Sequence, residues 1–228
     1  MITVSNLEKS FGNNRVLDYI DIRFPAGKIS GLVGRNGAGK TTLFHCIAGI
    51  ESYSGKIFAD RPKHKNYLGY LTTSPYMISR ITGREYIQFI ANARGQNIDN
   101  IESKNIFSLP LERYGEHYST GMKKKLALTA MLMLRNEYYL FDEPFSGFDP
   151  INTNLIKQEI LQLRNDGATV IFSTHNMGSV EELCDDIALI NKSFKIEDGP
   201  TDAIRDKYKT NTFDIQYRGD FNKVDLAL

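Results

Sequence analysis

Gly34-Arg35-Asn36-Gly37-Ala38-Gly39-Lys40-Thr41-Thr42 is the stretch that decides the fold. It matches the phosphate-binding pattern G-x-x-x-x-G-K-[ST] without a mismatch. The apolar run Ile29-Ser30-Gly31-Leu32-Val33 precedes it and reads as a buried strand, while Thr42-Leu43-Phe44-His45-Cys46-Ile47-Ala48 follows as a helix. The glycines let the backbone curl so that successive N–H groups point inward, an anion nest at a helix N-terminus. Lys40 adds a point charge for the β and γ phosphates, and the Thr41 hydroxyl stands where Mg²⁺ needs a ligand. The plainer reading, a glycine-rich turn before an ordinary helix, does not account for the full pattern. The expected ligand is a nucleoside triphosphate held by Gly34 through Thr42.

Bulk properties narrow the class. A chain of 228 residues with 41% hydrophobic and 24% charged residues is ordinary for a globular protein. Lys plus Arg (28) balances Asp plus Glu (27), so charge gives no reason to expect a nucleic-acid partner. Met1 to Asn6 lacks a basic segment leading into an apolar one, and the longest apolar stretch, Leu126 to Leu134, is far short of the roughly 20 residues that span a bilayer. Cys46 and Cys184 show no metal-ligand spacing and read as reduced core residues. These features predict a cytoplasmic protein.

Hydropathy patterning divides the chain into three textures. Antiparallel strands are expected first: Ile2 to Lys9, a Gly12-Asn13-Asn14 turn, then Val16, Ile20, Ile22 and Phe24 at even spacing. Short strands follow at Lys56 to Ala59 and Tyr67 to Leu71, on either side of a basic turn with Pro62 and His64. From about residue 73 to 135 the pattern becomes helical. Thr82-Gly83-Arg84-Glu85 is a capping box, a second helix is expected over Ile98 to Phe107, and a third starts near Ser119. Strand and helix then alternate: Tyr138 to Phe141, Ile151 to Arg164, Ala168 to Ser173, Met177 to Cys184 and Ile187 to Ile190. That alternation predicts a parallel sheet covered by helices. Phe213, Ile215 and Tyr217 alternate like an edge strand, in a tail (209–228) without visible chemistry.

Tyr138-Tyr139-Leu140-Phe141 ends in Asp142-Glu143. A carboxylate at the end of a buried strand beside a phosphate loop is where Mg²⁺ needs an anion, which assigns Asp142 to the metal. Glu143 falls on the side where water attacks the γ-phosphate and is the candidate general base.

With these residues in place the chain resembles the nucleotide-binding subunit of an ATP-binding-cassette (ABC) transporter, as far as about Tyr208. The family's signature loop, usually L-S-G-G-Q, is matched by Tyr118-Ser119-Thr120-Gly121-Met122, which keeps the serine and the second glycine. Ser119 also suits a helix N-cap, and both readings hold together. The resemblance implies a second phosphate receptor at Ser119 and Gly121, and a dimer-interface loop at Phe145-Ser146-Gly147-Phe148-Asp149. It makes His175, after Ser173-Thr174, the switch histidine that contacts the γ-phosphate. Phe11 falls where the family stacks an aromatic on adenine, with a core phenylalanine as the rival reading. Where the family has a metal-linked glutamine, this chain has Thr73, whose hydroxyl is shorter. Lys123-Lys124-Lys125 reads as a solvated helix start.

The resemblance implies an α/β fold: a P-loop NTPase core with an N-terminal antiparallel β subdomain and an inserted helical subdomain at about 73–135, all within one ABC ATPase domain. It implies ATP and Mg²⁺ as ligands, with Lys40, Glu143 and His175 carrying the hydrolysis and Thr41 and Asp142, with Thr73, around the metal. The implied partners are a second copy or a homologous ATPase subunit, and separate transmembrane permease subunits that hold the protein at the inner face of a membrane. The signature followed by lysines resembles exporters more than importers. A soluble ABC-type ATPase of iron–sulphur assembly, translation or repair is the alternative, and a kinase-like phosphate-loop enzyme is a more distant one.

Overall fold

A computed structural model describes residues 1–61 and 67–208 of the chain. The expected turn at Pro62 and His64 and the alternation at Phe213, Ile215 and Tyr217 lie outside the described residues. Two sheets form. In the first, β1 (Ile2–Phe11) pairs antiparallel with β2 (Asn14–Phe24) on one side and β4 (Ser54–Ala59) on the other. The second has the order β5 (Leu68–Leu71), β6 (Tyr138–Asp142), β7 (Thr169–Thr174), β3 (Ile29–Val33), β8 (Asp186–Asn191), β9 (Phe194–Pro200). Its first five strands run parallel and β9 returns antiparallel to β8.

Strands buried on both faces read as continuous apolar runs, and β3, β6 and β7 are buried at every position. Their side chains alternate between two cores. Leu32, Leu140 and Ile171 face the first sheet and α1 (Lys40–Ala48), together with Leu43, Phe44 and Ile47. Tyr139, Phe141, Val170 and Phe172 face the other way, toward Ile156 and Ile160 of α4 (Pro150–Asn165) and Val180 and Leu183 of α5 (Met177–Leu183). Both cysteines are free and buried, as expected, and burial pushes the Cys46 thiol up to about 11.

Between β5 and β6 the chain leaves the sheet to form α2 (Gly83–Ala93) and α3 (Thr120–Met133) around a third core that includes Tyr86, Ile87, Leu126 and Ala130. The Thr82 capping box is present in both directions, and Ser119 caps α3. The helix expected over Ile98 to Phe107 does not form; turns replace it. Asn100 and Ser108 adopt left-handed backbone angles (φ 54° and 49°), and the Asn105 amide bonds both the N–H and the carbonyl of Leu109. Side-chain-to-backbone bonds of this kind compete with a helical ladder. Its apolar residues still pack: Ile101 is buried and Phe107 leans on the cores.

One hairpin and one helix went unread in the sequence. Lys192 and Ser193 both take positive φ (44° and 74°), joining β8 to β9 in a two-residue turn whose twist matches the strands. That turn is tied to the first sheet by Asp18 N–H to the Ser193 carbonyl (2.9 Å) and by the Ser193 hydroxyl to the Arg15 carbonyl (3.1 Å). Then α6 (Thr201–Tyr208) packs Ile204 into the second core. No helix among the described residues is long and apolar enough to cross a membrane.

Candidate functional site

Parallel order places the carboxyl ends of β5, β6, β7 and β3 along one edge, where ligands of such sheets bind. The segments leaving these ends carry Thr73, Asp142-Glu143, Thr174-His175 and the phosphate loop. The loop is anchored by Gly34 N–H to the Thr174 carbonyl (3.4 Å) and closed by Ala38 N–H to the Arg35 carbonyl (3.1 Å). Gly37 and Gly39 take φ of 81° and 103°, which side-chain-bearing residues avoid. A Cβ on Gly39 would also lie 2.8 Å from the Leu17 side chain and 2.9 Å from the Val16 carbonyl, so the hairpin of the first sheet closes directly over the loop.

The loop borders a cavity of about 320 Å³ whose polar lining includes Asn36, Lys40, Thr41, Thr73, Asp142 and Glu143. Residues far apart in sequence meet there. Asp142 is 1% exposed and accepts hydrogen bonds from Thr41 Oγ1 (2.7 Å) and Thr73 Oγ1 (3.0 Å) on Oδ2, and from Ser173 Oγ (2.6 Å) on Oδ1. Thr73 therefore reaches the carboxylate despite its short side chain. Lys40 is buried and donates to the carbonyls of Gly34 (2.7 Å) and Arg35 (3.3 Å), with its Nζ 3.6 Å from Glu143 Oε1. Glu143 Oε1 also lies 3.1 Å from Nδ1 of the largely exposed His175.

Oxygen donors of this kind suit a hard cation that keeps some of its waters and binds partly through phosphates. Thr41, Thr73 and Asp142 offer two hydroxyls and a carboxylate on the cavity wall, and no cluster of three or more His, Cys, Asp or Glu side chains suited to a metal occurs among the described residues. That donor set fits Mg²⁺ better than Zn²⁺.

Other expected residues stand apart. Ser119 and Gly121 do not line the cavity; Ser119 accepts from Met122 N–H (3.2 Å), and a Cβ on Gly121 would meet nothing within 4 Å. Tyr118, in place of the usual leucine, is buried and donates its hydroxyl to the Pro110 carbonyl (2.8 Å). Phe11 is 47% exposed, which overturns the core reading; one face of its ring meets Lys9 Nζ at 4.7 Å.

A family model described as "ABC transporter" matches residues 17–146, more than half the chain. The chain belongs to the ABC transporter family. It is an ATP-binding subunit of that family, whose members are ATPases. It is 30% identical over 219 residues to the uncharacterized ABC transporter ATP-binding protein YhaQ of Bacillus subtilis, covering 90% of this chain and 73% of that protein. Against the bacitracin transport ATP-binding protein BcrA of Enterococcus faecalis the identity is 32%, covering 87% of this chain and 68% of the relative. A solved ATP-binding subunit of an ABC transporter superposes with a TM-score of 0.81 at 24% identity, covering 91% of this chain and 93% of the other. The cbiO1 structure from Clostridium perfringens gives 0.74 at 22%, covering 90% of both. These last two likenesses establish the fold.

Two residues of this ABC subunit escaped the sequence reading. Ser173, besides donating to Asp142, accepts from the Glu143 N–H (3.0 Å) and so holds both members of the acidic pair. Lys124 was expected in solvent but is 6% exposed and donates to the carbonyls of Glu143 (2.8 Å) and Ser146 (2.9 Å). Burial lowers its pKa, with the charges of Glu143 and Asp142 opposing. Its spacing held the signal: Leu128 and Met131, four and seven positions on, share its helix face and are buried.

Proposed function

We propose that this subunit hydrolyses Mg-ATP between two copies of itself, or between itself and a homologous subunit, to drive an exporter. What carries the reading is the convergence of Lys40, Thr41, Thr73, Asp142 and Glu143 on one cavity. The loop amides and Lys40 bind the phosphates, and Lys40 leaves the Gly34 and Arg35 carbonyls to do so. Thr41, Asp142 and Thr73 are the residues to hold Mg²⁺, which supplies charge neutralisation on the phosphates when bound. Glu143 takes a proton from water as the water oxygen bonds to the γ-phosphorus and the bond to the ADP oxygen breaks. His175 holds the Glu143 carboxylate and reaches toward the γ-phosphate, and Phe11 offers its free face to adenine.

Ser119 and Gly121 do not line the cavity at the chain's own phosphate loop, and in this reading a second copy brings such a pair to the ATP. One ABC ATPase domain, with the helical subdomain at about 73–135 inserted, then carries both half-sites. The export direction draws on the signature followed by lysines and on a relative named for resistance, the linearmycin resistance ATP-binding protein LnrL of Bacillus subtilis at 31% identity.

A permease would dock at the inner membrane face in a groove of about 260 Å³ bordered by β5, α2 and α3, with Tyr76 at its rim, 81% exposed. Met77, next to Tyr76, packs against the third core. The test of the chemistry is Glu143→Gln: ATP binding persists while phosphate release falls by about 10²–10⁴. Wild-type turnover in that variant removes Glu143 as the base.

A further inference from the structure

Glu143 is held in an unusual backbone state. Its φ is 50°, a left-handed value that a side-chain-bearing residue keeps only where its surroundings enforce it. Its carbonyl accepts from the Ser146 N–H (3.2 Å) and from Lys124 Nζ, using both lone pairs. Lys124 also takes the Ser146 carbonyl, so one ammonium closes the turn from 143 to 146 at both ends.

The same ammonium lies 5.3 Å from the centre of the Phe148 ring, which stacks on Phe107 (6.3 Å, 8° between planes). Lys125 covers Phe107 at 5.4 Å. Two lysines and two rings thus clasp the first turns of α3 to the turn after Glu143. α3 is also the helix that opens with Ser119 and Gly121.

We propose that Lys124 is a positioning residue for hydrolysis: it sets the backbone from which Glu143 reaches water and joins that backbone to the helix bearing Ser119. Lys124 touches no nucleotide in this account, and its effect passes through the Glu143 and Ser146 carbonyls. The proposal rests on Glu143 being the base. A displacement of about 1 Å in such a group lowers a rate by about a hundredfold.

The experiment compares the full chain with Lys124→Met, which keeps the stem and removes the donor. We expect kcat to fall by about ten- to a hundredfold with KM for Mg-ATP nearly unchanged, since only transition-state positioning is lost. Lys124→Arg, which can still donate to two carbonyls, should recover much of the rate. Amide exchange at Ser146 should accelerate in Lys124→Met while exchange in the middle of α3 stays at the wild-type rate. Lys124→Gln, too short to reach both carbonyls, carries the same test should the methionine variant not fold. Wild-type kcat and Ser146 exchange in the donor-less variant overturn the proposal, as does a loss confined to KM. Glu143→Gln run alongside separates the two ideas. If it retains turnover the base assignment fails, and Ser146 exchange alone then decides whether Lys124 fixes the turn.

Discussion

Replacing Ser173 by alanine should damage both stability and chemistry, and the size of the loss can be worked out. The hydroxyl makes a 2.6 Å bond to the Asp142 carboxylate and receives a 3.0 Å bond from the Glu143 N–H. Ser173 is fully buried in the middle of the sheet edge, so water does not simply replace it. A hydrogen bond to a carboxylate contributes about 1.5–3 kcal/mol, and an ordinary one about 0.5–1.5 kcal/mol. Ser173→Ala should therefore cost about 2–4 kcal/mol. In a chain of this size each kcal/mol shifts Tm by roughly 2–4 °C, giving a drop on the order of 5–15 °C. Chemical denaturation read by circular dichroism gives the energy, and calorimetry the midpoint. In an Asp142→Ala background the same change should cost less by about 1 kcal/mol or more, because the charged acceptor is gone. A loss below about 0.5 kcal/mol, or strict additivity with Asp142→Ala, would refute the reasoning.

Gly39→Ala places a methyl against Leu17 and the Val16 carbonyl at a φ of 103°, so it should abolish ATP binding and lower Tm; equilibrium dialysis and a thermal melt check this. Thr73→Gln lengthens the side chain beside Asp142, and basal phosphate release should rise several-fold; an unchanged or lower rate means that the bond from Thr73 to Asp142 matters more than reach.

How much of this was legible from the sequence varied with the physics. The phosphate loop was, because its geometry demands glycines at fixed positions and a lysine after them. β3, β6 and β7 were, because strands buried on both faces need nearly continuous apolar runs. Asp142 and Glu143 were placed by their strand. What escaped depended on long-range partners. Ser173 looks like any strand-end serine until Asp142 and Glu143 come beside it. Lys124 sits among three lysines, and only its register with Leu128 and Met131 distinguishes it. The stretch from Ile98 to Phe107 carries Ile98 and Ile101 at helical spacing, but Asn100, Asn105 and Ser108 settle it as turns through local bonds and left-handed angles. Lys192-Ser193 lacks the asparagine or glycine that usually marks a two-residue hairpin.

In the pair proposed above, each chain carries two half-sites, the phosphate loop and the Ser119 helix, that close on the same ATP only together. Light scattering of the Glu143→Gln chain with and without millimolar Mg-ATP tests it most directly. The expected result is a dimer with nucleotide, a monomer without it, and a monomer in both conditions once Ser119 is also replaced by a bulky residue such as arginine. A Glu143→Gln chain that binds Mg-ATP and stays monomeric would contradict it.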